Sequence, residues 1–260
     1  MATPDTHLDR IAVAMQGRRP RTLDDPTATS LFAGENAATA NKEALALAKE
    51  MAAKGMSRDQ IWHETHRRHG QGWFYHPQAK QWNYETAGGP PEMGDIGSMP
   101  ATTQSIGSYF KDAPTDTAYP GIEHSSVSWS DDPEAEKADW IAHVTWPEKR
   151  RTYGAMTINP YESDRVDELT LLHERQHQIR AFEGASKQDV LNDQRVPWAK
   201  RWMEREAENA AARHYFLTPT DRARMPPWQT ETDAMDWGRT GWDDSKRPKS
   251  FPRYHQQASE

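Results

Sequence analysis

The chain has 260 residues, a formal net charge of -7, an apolar fraction of 35% and no cysteine. Without cysteine there is no disulfide framework, no thiolate nucleophile and no thiolate metal site, so any metal ion must rest on His and carboxylates. The acidic balance argues against a nucleic-acid binder, no window nears the roughly 18 consecutive apolar residues of a membrane span, and MATPDTHLDR lacks the layout of a signal peptide. The expectation is a soluble, cytosolic type of protein with no membrane span, one compact domain and loose ends.

Residues 1–34 read as a largely irregular leader, broken by Pro20 and Pro26, in which Leu8 to Met15 is the one stretch that could make a short helix. Two basic runs, Gly17 to Arg21 and Ser245 to Lys249, sit in Pro-containing surroundings and read as solvated tail charges. ENAATANKEALALAKEMAAKG is rich in helix formers and predicts a helix from Ala37 to Lys54, stopped by Gly55. Ser57 opens a Ser-x-x-Gln capping box and a short helix through Ile61 and Trp62. GWFYHPQAKQWNYE, two aromatic runs around a polar loop, predicts a β-hairpin, so 35–86 forms a small unit of helix pair and hairpin.

Residues 86–135 are dense in Gly, Pro, Ser and Asp and read as loop with sparse short elements. Trp140 to Trp146 and Tyr153 to Pro160 predict a second hairpin around PEKRR. A helix capped by Ser163 or Asp164 runs to Glu183 and stops at Gly184, and another fits Pro197 to Leu217. Residues 228–260 lack either period and read as a flexible or draped Trp-rich tail.

Leu171 to Gly184 reads LLHERQHQIRAFEG, which contains His-Glu-x-x-His. Positions four apart share a helix face, so His173 and His177 can turn their imidazoles to one ion, with Glu174 beside the vacant coordination position. Zinc in such a site takes three protein ligands and water, lowers the pKa of that water to about 7, and leaves Glu174 as general base. The bland alternative is a surface helix whose His and Glu face water, and a third ligand separates the two.

The later run MEREAENAAAR, Met203 to Arg213, has Glu204 and Glu208 on one face and a slim alanine-rich back; its own bland reading is a solvated acidic face. It resembles the ligand helix of zinc proteases of the thermolysin type. On that likeness Glu204 is the third ligand and Glu208 the group that steadies an imidazole N–H. Glu206, about 200° around an ideal helix from Glu204, is the alternative ligand. Arg180, Arg213, His214 and Tyr215 could reach an oxyanion, with Tyr215 or His214 preferred. HETHRRH at His63 to His69 spaces His63, His66 and His69 by three but has no matching carboxylate pattern. There is no phosphate loop and no nucleophile elbow.

Taken together, these segments resemble the large polyvalent-protein-associated domains of phage and mobile elements, a zincin-like family. The likeness runs from FAGENAATANKEALALAKEMAAKGMSRDQIW and GWFYHPQAKQWNYE through Leu171 to Gly184 and Glu204 to Arg213, about residues 32 to 231. ASKQDV after Gly184 and the carboxylate at Glu208 depart from it.

The resemblance implies an α+β, zincin-like fold: a small antiparallel sheet, the His-Glu-x-x-His helix, a second ligand-bearing helix, and the N-terminal helix pair and hairpin, with 87–227 as the metallopeptidase domain. It implies a phage or prophage origin; with the residues above, the leading expectation is a zinc endopeptidase with His173, His177 and Glu204 as ligands, Glu174 as general base, and Tyr215 or His214 at the oxyanion. A protein or peptide would be the substrate, other virion proteins the further partners, and the virion or host cytoplasm its location. The rival expectation is a virion structural or interaction protein on the same scaffold, with His214 closing the zinc site and the tail as a docking strip.

Overall fold

The computed structural model describes residues 31–86, 92–137, 141–147, 151–166, 168–196, 201–216 and 227, and within them the side chains of 163–165, 168, 169, 208, 212 and 214–216 are outside the description. Leu8 to Met15, both basic runs and the tail at 228–260 lie outside the described residues.

The N-terminal part is built from strand β1 (Phe32–Gly34), helices α1 (Lys42–Ala53) and α2 (Arg58–His69), and strands β2 (Phe74–His76) and β3 (Gln81–Glu85). β1 falls within the stretch read as leader. Helix α1 starts later than Ala37 because the Asn41 side chain accepts the N–H groups of Glu43 and Ala44, both at 3.0 Å, which makes Asn41 the cap. The Ser57–Gln60 capping box forms as predicted, but α2 runs on to His69 and ends at Gly70, whose φ of 69° is the left-handed conformation that suits glycine. The predicted hairpin pairs β2 with β3, and β1 joins the other side of β3 to give an antiparallel sheet of order β1-β3-β2.

Short strands β4 (Glu92–Met93), β5 (Gln104–Ser105), β6 (Phe110–Lys111) and β7 (Ser126–Trp129) and a brief helix α3 (Ala113–Ala118) follow. The second predicted hairpin is present as β8 (Ala142–Thr145) paired with β9 (Ala155–Ile158). The sheet it joins, of order β5-β7-β9-β8, is not the antiparallel sheet expected, because β7 and β9 run parallel. The chain leaves β7, passes over one strand width and returns as β8; β9 then fills the gap and must run along β7.

Helices α4 (Glu168–Glu183), α5 (Lys187–Gln194) and α6 (Trp202–Phe216) complete the described fold. The predicted start at Ser163 or Asp164 falls in a 3-10 segment, Pro160–Arg165, and α4 begins after it. Helix α5, which the sequence reading missed, carries its own capping box, Ser186 with Asp189.

Helix α4 is buried from Thr170 to Ala181 although it is rich in polar residues. Such burial is tolerable only when each polar group finds a partner. Gln176 accepts Phe32 N–H at 2.9 Å and donates to Phe32 O at 3.1 Å, Gln178 donates to Gly154 O at 2.8 Å and Ser125 Oγ at 2.9 Å, and Arg175 donates to Ile122 O at 3.0 Å and Asp116 Oδ1 at 3.1 Å. The three-stranded and four-stranded sheets are thus tied to one helix, and Leu171, Leu172 and Ile179 share a single core with Phe32, Trp73, Phe74, Val127 and Met156. Among the described residues no helix is long and apolar enough to cross a membrane.

Candidate metal centre

His173 and His177, four apart on α4, turn their rings to one point from which α6 presents Glu204. Nε2 of His173 lies 3.1 Å from Nε2 of His177, and Glu204 Oε2 lies 3.4 Å and 3.5 Å from these two nitrogens. Among the described residues these three form the one cluster with metal-ligand character. Tetrahedral zinc with bonds of about 2.0–2.1 Å holds its donors about 3.3 Å apart, close to the observed triangle of 3.1, 3.4 and 3.5 Å. The donor set, two imidazoles and one carboxylate, also suits that ion. The same nitrogens could instead share a proton.

The imidazoles are buried and Glu204 nearly so, so their mutual fields are poorly screened. Burial alone would push the His177 imidazole down; the charge and hydrogen bond of Glu204, with Glu174 and Glu206 behind it, outweigh burial and raise it to about 9. Glu174, next to His173 on α4, is buried at 3% exposure, and its charge acts on His177. The Trp146 ring, just past β8, stands 6.1 Å from that of His177.

The alternative ligand is placed elsewhere. Glu206 closes on the Arg180 guanidinium with both oxygens, and both side chains are buried. Arg180 also donates to Gln81 Oε1 at 2.8 Å and Asn83 Oδ1 at 3.3 Å on β3, so it is committed to a packed network rather than to an oxyanion. Arg213 is likewise committed, through a two-pronged pair with Glu85 at 2.6 Å and 2.9 Å. His214 and Tyr215 lie on α6, and their side chains, with that of Glu208, are outside the described residues. His63, His66 and His69 lie on α2, where His66 stacks on Trp62 and Glu64 pairs with Arg67 and Arg68.

The strand beside the site is β8. β9, the second strand of the predicted hairpin, is enclosed between β7 and β8, whereas β8 is at the sheet edge and packs against α4.

Beyond the site, the comparison with known families concerns the N-terminal part. Residues 30–87 match the family model of large polyvalent protein associated domain 23. The matched residues include β1 to β3 with α1 and α2, and among them Gln81 and Asn83, which accept hydrogen bonds from Arg180. The match stops before α4 and α6, so the likeness drawn from residues 171–184 and 204–213 is not part of it. No curated protein and no solved structure matches the chain.

What the sequence reading missed is the support of the site. Arg180 follows His177 by three positions, a spacing that puts it on the imidazole face, and this was the available signal. Nothing in the sequence pairs it with Glu206, Gln81 and Asn83.

Proposed function

We propose that the chain is a zinc-dependent peptide hydrolase in which His173, His177 and Glu204 hold the ion. The observation that carries this reading is the triangle of donor atoms at 3.1, 3.4 and 3.5 Å with Glu174 beside it. A zinc ion held there would supply a Lewis acid and lower the pKa of water toward about 7. Glu174 takes the proton of the water whose oxygen bonds to the peptide carbonyl carbon and passes it to the amine as the C–N bond breaks. Low exposure favours this role, since a base held away from bulk water keeps its proton for the leaving group.

An extended peptide fits the outer edge of β8. Among the described residues β8 pairs with β9 alone, and its far end leads to Trp146 beside His177. Strand addition there supplies backbone hydrogen bonds whatever the peptide sequence, with Trp146 offering an apolar wall near the scissile bond. The match at 30–87 fits a phage origin, with virion proteins as candidate substrates or partners.

The test is metal content and cleavage of an unfolded protein substrate by wild type, His177→Ala and Glu174→Gln. About one zinc per chain in wild type, lost in His177→Ala and kept without cleavage in Glu174→Gln, is the expected result. Zinc held by a wild type that cleaves nothing would favour the non-catalytic virion protein, and no uptake of added zinc would overturn the metal reading.

A further inference from the structure

We propose that Arg180 is a positioning residue for this centre. Through Glu206 it fixes the rotation of α6 that brings Glu204 to the imidazoles, and β3 holds Arg180 in place through Gln81 and Asn83. The inference rests on the metal reading above.

On α4, His173, His177 and Arg180 fall within about 60° of one another around the axis. On α6, Met203, Ala207, Ala210 and Ala211 are buried on the central face. Glu204 and Glu206 stand about 80° to either side of that face. One shoulder of α6 therefore meets the imidazoles and the other meets Arg180.

The packed face of α6 is mostly alanine, which permits close approach but gives few knobs to resist rolling. At a side-chain radius of about 6 Å, a roll of about 20° moves a carboxylate by about 2 Å. Metal bonds tolerate about 0.2 Å. A directional contact must therefore lock the roll, and a guanidinium closed on both carboxylate oxygens is the directional pair that side chains offer.

Arg180 is itself held on the other side. Gln81 accepts from it at 2.8 Å while donating to Glu183 O at 2.8 Å, which fixes the amide orientation, and Asn83 accepts from it at 3.3 Å. Its guanidinium also lies 6.0 Å from the ring centroid of Trp202, one turn before Glu206 on α6. The segment matched by the family model is thus a buttress of the metal helices.

The experiment uses the full chain and reads zinc affinity by chelator competition, cobalt(II) absorption in the visible, and the thermal midpoint. Replacing both members of a buried ion pair by apolar residues is often neutral for stability, whereas removing one is not. Arg180→Met/Glu206→Leu is therefore expected to melt near wild type yet bind zinc about tenfold or more weakly, with altered cobalt bands. Gln81→Met, which keeps the ion pair but loosens Arg180, is expected to weaken zinc about threefold to tenfold and keeps the proposal open to refutation should the double variant not fold. Wild-type affinity and cobalt bands in a folded double variant, or in Gln81→Met if the double variant does not fold, overturn the positioning role alone. A wild type that takes up neither ion overturns the metal reading and this proposal with it.

Discussion

Glu204 and Glu206 stand two positions apart on one helix and serve different neighbours: Glu204 Oε2 lies 3.4 Å from His173 and 3.5 Å from His177, whereas Glu206 is closed on Arg180. Truncating the two carboxylates should therefore separate metal binding from stability. Glu204→Ala removes a proposed ligand, and zinc affinity should fall by more than about a hundredfold. It also removes the charge that raises the His177 imidazole, but that imidazole can give up its proton, so the metal-free protein should lose less unfolding free energy than in Glu206→Ala. Glu206→Ala leaves the Arg180 charge buried without its carboxylate and should cost about 3–5 kcal/mol. Urea unfolding with chelator present, beside zinc competition, measures both; equal loss of stability in the two variants would contradict the division of roles.

Tyr119 links β1 to the end of α4. Its hydroxyl donates to Glu183 Oε1 at 2.7 Å and accepts Gly34 N–H at 2.8 Å, while Asn36 Nδ2 donates to Glu183 Oε2 at 2.7 Å. Burial, then the charge of Glu183, pushes the Tyr119 hydroxyl well above its ordinary value, so it stays protonated and able to donate. Tyr119→Phe strands the buried Gly34 N–H and should cost about 1–3 kcal/mol. A loss below about 0.5 kcal/mol in urea unfolding would mean that another group satisfies that N–H.

The elements that were legible in the sequence, and the clustering of His173 with His177, each have a local cause. The capping box at Ser57, the stop at Gly184 and the four-residue spacing of His173 and His177 are set by residues close in sequence, and so are the Ser186 box and the stop at Gly70, local signals that the reading passed over. The parallel pairing of β7 with β9, the strand beside α4 and the choice of Glu204 over Glu206 depend on contacts between distant segments. So does the network around Arg180, which binds both Gln81 and Glu206 although these lie more than a hundred positions apart in the chain. A buried Gln or Arg on α4 looks in sequence like a surface residue until its partner is known.

Gly154 precedes β9 and lies against the end of β8. A methyl there would overlap the Val144 side chain and lie 2.5 Å from Thr145 O, while Gly154 O accepts from Gln178 on α4. Gly154→Ala must therefore push β8 outward, at about 1–3 kcal/mol. Because β8 is the proposed peptide strand, KM for an extended peptide should rise several-fold while zinc content stays unchanged. Unaltered KM in a folded Gly154→Ala protein would argue against β8 as the docking edge.

His76 ends β2 inside the core, and its Nδ1 accepts Ala79 N–H at 3.2 Å across the hairpin loop. Burial pushes its pKa down to about 4; the Glu206 charge opposes this, and the charges of Arg180, Arg58 and Arg205 reinforce it. The unfolded chain, with an ordinary value of about 6.5, binds the proton more readily than the folded one. Stability from this group is therefore complete above about pH 6.5 and is lost as pH falls from there toward about 4, to a limit of roughly 3 kcal/mol. His76→Asn keeps an acceptor for Ala79 N–H and does not titrate, so it should be less stable than wild type at pH 7.5, with the gap narrowing by about 1–2 kcal/mol at pH 5. Urea unfolding of both proteins with chelator present, so that His173 and His177 contribute alike, measures that gap, and a gap independent of pH would show that His76 takes up no extra proton on unfolding.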